Sequence, residues 1–216
     1  MDDVLLMGDP AVAAVPVREC GAPLVDLHDT AIALDERQRD PQGHFALQRR
    51  GLAGRLEKAQ ALLPDGLRLL VVEGYRPPSL QRLYFDSYRA ELQAAHPDWA
   101  DDVLHRAASR YVSPPEIAPH SAGAAVDLTL CTADGRELDL GTRVNATPEE
   151  SGGRCYTASP DVDAAAQDTR EVLGAALRAV GLVNYPTEWW HWSFGDRYWA
   201  ITTGAPAAVY GPVDAP

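Results

Sequence analysis

The sequence predicts an α+β fold, a small antiparallel sheet flanked by helices. Three observations carry this. Strand-like and helix-like segments do not alternate regularly along the chain, as they would around a parallel α/β sheet. Two short apolar runs, at residues 67–73 and 124–130, read as buried strands. Near the end, residues 188–194 and 197–202 flank Gly195-Asp196, a suitable two-residue hairpin turn. A chain of 216 residues with 46% hydrophobic residues can bury one sizeable core, so a single domain over residues 1–216 is expected.

Residues 1–43 predict irregular structure with short strands, such as Leu24-Val25-Asp26-Leu27. Leu47, Leu52, Leu56, Ala59 and Leu63 fall at near-helical spacing and predict a helix over 45–63, stopped by Pro64-Asp65-Gly66. The strand at 67–73 breaks at Gly74-Tyr75-Arg76-Pro77-Pro78. Ser79 is placed to cap a helix running to about Ala95. A second helix is expected over 99–111, and Ser113-Pro114-Pro115 opens a loop. Residues 131–160 are rich in Gly, Thr, Pro and Asp and predict a long loop, a length that usually signals function. The stretch 164–180 predicts a helix ended by Gly181.

The bulk composition narrows the function. Charged residues make up 23%, as in an ordinary globular protein. A net charge of -12 argues against a nucleic-acid or anionic-membrane surface, both of which need clustered Lys and Arg. Three cysteines with no CxxC pair give neither a disulfide framework nor a cysteine zinc site. The acidic opening Met1-Asp2-Asp3 and the short run Val4 to Met7, cut by Gly8-Asp9-Pro10, do not resemble a leader peptide. No run approaches the roughly 20 apolar residues of a membrane span. A cytoplasmic location is expected, and the sequence leaves the oligomeric state open.

Three clusters could carry chemistry. In His120-Ser-Ala-Gly-Ala-Ala-Val-Asp127, small residues let the backbone approach a metal or substrate closely. Asp127 sits inside an apolar strand, where a carboxylate needs a cation or hydrogen bonds to offset its burial. In Glu188-Trp-Trp-His191-Trp, three tryptophans would surround a glutamate and a histidine with a low dielectric, which raises a carboxylate pKa toward that of a general base. Together, His120, Asp127 and His191 make the usual three-ligand set of a catalytic zinc, one ion per chain, with the fourth position left for water. Glu188 is placed three residues from a ligand to take that water's proton. The third cluster is Tyr75-Arg76, fixed by Pro77-Pro78, whose guanidinium suits an oxyanion. Blander readings stay open for each: Asp127 as a turn cap or arginine partner, His191 as a core histidine, Arg76 as a structural ion pair.

These stretches resemble the D-Ala-D-Ala dipeptidase family, zinc enzymes known from vancomycin resistance, within a larger group that includes lysostaphin-type endopeptidases and the zinc domain of hedgehog proteins. The matching segments are Glu73-Gly-Tyr-Arg-Pro77, His120 to Leu130, Gly141-Thr142 and Glu188-Trp-Trp-His191, spread over about residues 20 to 200. The resemblance implies that His120, Asp127 and His191 ligate zinc, that Glu188 is the base and later the proton donor, and that Arg76 polarises the scissile carbonyl. It implies a small dipeptide, D-Ala-D-Ala or a related one, as substrate.

Three positions depart from the family. Ala118 stands where a serine is usual, Asn145 where an aspartate helps hold the substrate's amino group, and Asp29 where a tyrosine contacts the amine. With Ser121 beside the first ligand, these are the candidate substrate contacts. The departures leave two further expectations open: a zinc carboxypeptidase or amidase acting on longer cell-wall-derived or natural-product peptides, and a zinc-stabilised binding module without turnover.

Overall fold

A computed structural model describes residues 4–215. The acidic opening Met1-Asp2-Asp3 lies outside the described residues. In chain order the elements are α1 (Pro10–Ala13), β1 (Leu24–Asp26), β2 (Ala33–Leu34), β3 (Leu47–Arg49), α2 (Arg50–Gln60), β4 (Leu67–Glu73), α3 (Pro78–Ala95), α4 (Asp101–Ala108), β5 (Ala125–Thr132), α5 (Pro148–Ser151), α6 (Ala164–Ala179), β6 (Val183–Asn184), β7 (His191–Ser193) and α7 (Arg197–Thr203). The main sheet has the order β2-β4-β5-β7-β6, and β1 pairs with β3 in a separate two-stranded ribbon. All main-sheet pairs are antiparallel except the short β2–β4 edge pair, which is parallel. The expected α+β architecture is therefore present, with one parallel edge added.

One face of the sheet is core. Leu69, Val71, Val126, Leu128 and Leu130 pack there with Leu52 and Leu56 of α2 and Leu173 and Leu177 of α6. A smaller cluster joins Phe85, Tyr88 and Leu92 of α3 to Leu104 and Ala108 of α4.

The register of β4 against β5 decides what the other face carries. Val71 lies opposite Leu128, but Glu73 lies opposite Asp127, so β4 holds one extra residue before its end. Side chains alternate faces with a period of two, so this bulge turns Glu73 away from the core face and sets it beside Asp127. Asp127 in turn lies opposite His191 on β7. Glu73, Asp127 and His191 form one row across three strands.

Several expected boundaries move. Residues 197–202 are not the second arm of a hairpin but part of helix α7. Tyr198, Trp199, Ile201 and Thr202 favour strands, yet the Asp196 side chain accepts from the N–H groups of Tyr198 and Trp199 and starts a helix. Gly204, at φ 72°, ends it. The strand before it shortens to His191–Ser193 and pairs with β5 and β6 instead.

The helix expected over 45–63 begins only at Arg50. Residues 44–46 form a single 3-10 turn, and 47–49 pair with β1. The N–H groups of Gly74 and Tyr75 donate to the carbonyls of Phe45 and Leu47, drawing that segment against the end of β4. Ser79 does not cap α3; Pro77 is the cap residue and Pro78 the first helical residue, where a missing N–H costs nothing. The helix expected over 99–111 is shorter, Asp101–Ala108. The 131–160 region contains one short helix, α5, held by a capping box between Thr147 and Glu150.

Candidate active site

The core of the site is three side chains, all buried: His120, Asp127 and His191. His120 sits in a 3-10 turn just before β5, which ends in Gly123 at φ 61°. Its Nδ1 lies 2.6 Å from the Gly74 carbonyl. A carbonyl can only accept, so Nδ1 carries the proton and Nε2 presents a bare lone pair. That Nε2 lies 3.2 Å from His191 Nδ1 and 3.4 Å from Asp127 Oδ1. His191 Nδ1 is 3.0 Å from the same carboxylate oxygen.

One ligand atom from each residue falls within 4.8 Å of the others. Two imidazole nitrogens and a carboxylate oxygen, with one imidazole's proton already committed elsewhere, converge as electron donors. This donor set fits a divalent cation of the zinc type, and it does not fit calcium or magnesium, which take oxygen ligands. Burial raises the Asp127 carboxyl's pKa, but the two neighbouring imidazoles more than offset this and hold it well below the ordinary range. Burial pulls the His191 imidazole down, against the pull of Asp127.

Glu188 stands on a tight turn. Its N–H donates to the Tyr185 carbonyl, and its own carbonyl accepts from His191 N and from Asn184 Nδ2. Its Oε2 lies 3.6 Å from His191 Nδ1. Burial, and then the Asp127 charge, push its carboxyl well above the usual value, while Arg76 pulls the other way. The tryptophans do not line the cavity as the sequence suggested. Trp189, Trp190 and Trp192 are part of the hydrophobic core, with Trp189 Nε1 donating to Thr142 Oγ1 at 2.8 Å. They anchor the segment from behind rather than surround the carboxylate.

Arg76 is both an ion pair and a wall of the cavity. Its Nε and Nη2 donate to the two oxygens of Glu73 at 2.7 and 2.6 Å, and its Nη1 donates to Gln81 Oε1 at 2.8 Å. Its carbon centre lies 4.9 Å from the Tyr84 ring. Burial works against its charge, but Glu73 more than restores it. The backbone of Arg76 is pinned too, since its N–H donates to the His120 carbonyl and its carbonyl accepts from Ser121 Oγ.

The cavity over these groups measures about 330 Å³. That is near the lower end of small-ligand pockets, roughly 300–1,000 Å³. Beyond the residues above it is lined by Gln38, by Tyr84, Ser87, Tyr88 and Glu91 of α3, and by Tyr111, Asn145 and Tyr185. Asn145 is the one non-glycine residue with positive φ, 62°, among the described residues. Its carbonyl accepts from Tyr111 Oη at 3.0 Å and Arg143 Nη1 at 2.8 Å.

The long loop that carries Asn145 is held from below by Arg170, a buried side chain that donates to the carbonyls of Leu140, Arg154 and Tyr156. Burial lowers its pKa to about 10. Gly141, at φ 86°, lies so close to Val162 that a Cβ would meet its Cγ1 at 2.5 Å.

The structure thus brings His120, Asp127, His191, Glu188, Arg76 and Asn145 to one cavity. It does not bring the other three candidates there. Asp29 is exposed and outside the cavity lining. Ala118 is buried and does not line it, and Ser121 is buried with its hydroxyl spent on the Arg76 carbonyl. Glu73, Gln38, Tyr84, Tyr88, Tyr111 and Tyr185 also line the cavity, and none of them stands out as a site residue in the sequence. One signal was present: Tyr84, Ser87, Tyr88 and Glu91 follow the i, i+3, i+4, i+7 spacing of one helix face.

Residues 29–204 match the family model described as D-Ala-D-Ala dipeptidase. A protein of Synechocystis sp. described as D-alanyl-D-alanine dipeptidase is 28% identical over 220 residues, covering 87% of each chain. One of Escherichia coli (strain K12) with the same description is 34% identical over 127 residues, 59% of this chain and 55% of that protein. Among solved structures, the LD-carboxypeptidase LdcB aligns over 88% of this chain and 76% of its own at 17% identity, with a TM-score of 0.47, too slight a likeness to add to the assignment. The match over most of the chain, joined to a buried His-Asp-His donor set at the floor of a cavity, makes this protein a metallopeptidase of the D-Ala-D-Ala dipeptidase family.

Proposed function

We propose that this chain is a zinc-dependent dipeptidase that hydrolyses D-Ala-D-Ala or a closely related small dipeptide. The observation that carries the reading is the convergence of His120 Nε2, Asp127 Oδ1 and His191 Nδ1 beneath a cavity that also holds Glu188 and Arg76.

His120, Asp127 and His191 would hold one zinc ion per chain. When bound, zinc lowers the pKa of its water to about 7 and polarises a carbonyl. Glu188, with its raised pKa, takes the proton from the attacking water and returns it to the leaving amine. Arg76 has five N–H donors, of which Glu73 and Gln81 engage three; the rest are available to the oxyanion of the tetrahedral intermediate. Glu73 fixes the guanidinium so that little is lost to reorganisation when that charge forms.

One observation favours a second substrate class. Asn145 offers the cavity a neutral amide, and Asp29 lies outside it. A free α-ammonium group finds no carboxylate at either position, which leaves Glu91, on the α3 side of the lining, as the acidic group outside the metal set and the Arg76 pair that could meet it. A peptide whose amine is already acylated would bind without that loss.

The test is release of free alanine from D-Ala-D-Ala by zinc-loaded protein, with a chelator control and N-acetyl-D-Ala-D-Ala run beside it. Chelator-sensitive release from the free dipeptide supports the dipeptidase reading. Release from the acylated substrate alone moves the assignment to a carboxypeptidase, and release from neither rejects the substrate class.

A further inference from the structure

Successive side chains of a strand alternate faces, so Ser193 stands on the same face of β7 as His191. Both lie in register with β5, His191 opposite Asp127 and Ser193 opposite Ala125. His191 and Ser193 are 3% and 1% exposed, and neither His191 Nε2 nor Ser193 Oγ has a hydrogen-bond partner among the described residues. Buried polar atoms are nearly always paired, so two orphans on one strand face are an exception that needs a reason.

The next turn supplies a candidate. Gly195, at φ 82°, folds the chain sharply back, and a Cβ there would meet Tyr210 Cδ2 at 2.6 Å and Val209 Cγ2 at 2.8 Å. The Gly195 carbonyl accepts from the N–H groups of Val209 and Tyr210, which locks the turn. The turn delivers Asp196, which is 2% exposed. Its carboxylate takes two backbone N–H groups, those of Tyr198 at 2.9 Å and Trp199 at 3.2 Å. A carboxylate has about four lone-pair sites, so half its accepting capacity is unspent. Ser193 and His191 are both among the side chains that face the Asp196 carboxyl, although no hydrogen bond of ordinary geometry yet joins Ser193 Oγ to it.

We propose that Asp196 is a positioning residue of the metal centre: with Ser193 as intermediary, it takes up the Nε2–H of His191 and so commits Nδ1 to the metal. A histidine ligand bound through one nitrogen keeps its proton on the other, and an acceptor there fixes both tautomer and ring orientation. His120 already has such an acceptor in the Gly74 carbonyl. Asp196 and Ser193 give His191 its counterpart. Neither Ser193 nor Asp196 lines the cavity, and Asp196 keeps its second duty as the cap of α7.

The proposal rests on the zinc reading above. The experiment is zinc affinity by competition with a chromophoric chelator, together with the melting temperature of the zinc-free protein. The proteins are wild type, Ser193→Ala, Asp196→Asn and the double variant. Asparagine is as good a helix cap as aspartate, so Asp196→Asn removes the charge and keeps one of the two cap bonds to Tyr198 and Trp199, with the zinc-free melting temperature reporting the loss of the other.

Each single variant is expected to bind zinc about 10- to 100-fold more weakly, the usual cost of losing such a partner. The double variant should be no weaker than the worse single one, because both act through the same link. Zinc-free melting temperatures should stay near that of wild type. Wild-type affinity in both single variants overturns the proposal, as do losses that multiply in the double variant. Affinity losses that merely track a fall in zinc-free melting temperature also overturn it, since Asp196 would then be only a cap. If wild type itself fails to bind zinc, the metal reading falls and takes this proposal with it.

Discussion

Glu73 faces Asp127 across β4 and β5, one residue out of the register that the rest of the strand pair keeps. The consequence reaches the chemistry. In unbroken register Glu73 would point into the core, and Arg76 would lose the carboxylate that grips it by two hydrogen bonds. The bulge therefore places the cavity's cation as well as its own residue.

Arg76→Lys should keep zinc and the fold but lower kcat by about 10²–10³, the range seen when one oxyanion donor is removed. Lysine cannot make the two-pronged contact with Glu73. Arg76→Ala should also destabilise the protein by about 3–5 kcal/mol, because it leaves Glu73 buried without a partner. Steady-state kinetics and denaturant unfolding of the two variants separate these effects.

Zinc should stabilise the fold measurably. Free zinc at a thousand times its dissociation constant should add about 4 kcal/mol to the unfolding free energy. His120→Ala should abolish that gain, as should Asp127→Ala or His191→Ala. Calorimetry with and without zinc checks it; a full shift in a variant lacking a ligand would remove that residue from the metal set.

The buried Glu188 makes zinc-free stability depend on pH with a definite sign. Its folded pKa lies above that of the unfolded chain, about 4.3. The proton it holds therefore contributes stability at low pH, and that stability is lost as pH rises through the folded pKa. Glu188→Gln should remove this loss. The melting temperature of the zinc-free variant, minus that of wild type, should grow as pH is raised from about 4.3 upward. A difference that shrinks with pH would mean the folded pKa is not raised.

Asn145→Asp should shift selectivity toward free dipeptides. A charge-assisted hydrogen bond to an ammonium group is roughly twice as strong as a neutral one, so the ratio of kcat/KM for free over N-acylated substrate should rise on the order of tenfold. An unchanged ratio would mean that Asn145 does not meet the substrate's amino end.

The site was more legible in the sequence than the architecture around it. His120, Asp127, Glu188 and His191 stand out because charged and imidazole groups inside apolar runs need a physical reason to be there. Strand β4 was legible as a short apolar run, and helices α3 and α6 from the breakers and stops that bound them. Helix α7 was not, because its aromatic and β-branched residues favour a strand and only the Asp196 cap tips them into a helix. The bulge at Glu73 leaves no mark in a single sequence, since register is set by the partner strand. The tyrosines of α3 repeat at helical spacing, but spacing does not say whether a face meets core or cavity. The tryptophans misled for the same reason: they flank the site in sequence while packing on the core side.

The proposed mechanism turns on Glu188 as the proton carrier beside a zinc ion that His120, Asp127 and His191 would hold and that would activate the attacking water. The most direct measurement is turnover and zinc content of Glu188→Ala beside wild type, on whichever dipeptide wild type cleaves. Both proteins should hold one zinc per chain, and the variant should lose about 10²–10⁴ in kcat, the usual worth of a general acid–base group. Near-normal turnover in a zinc-replete variant would contradict the mechanism.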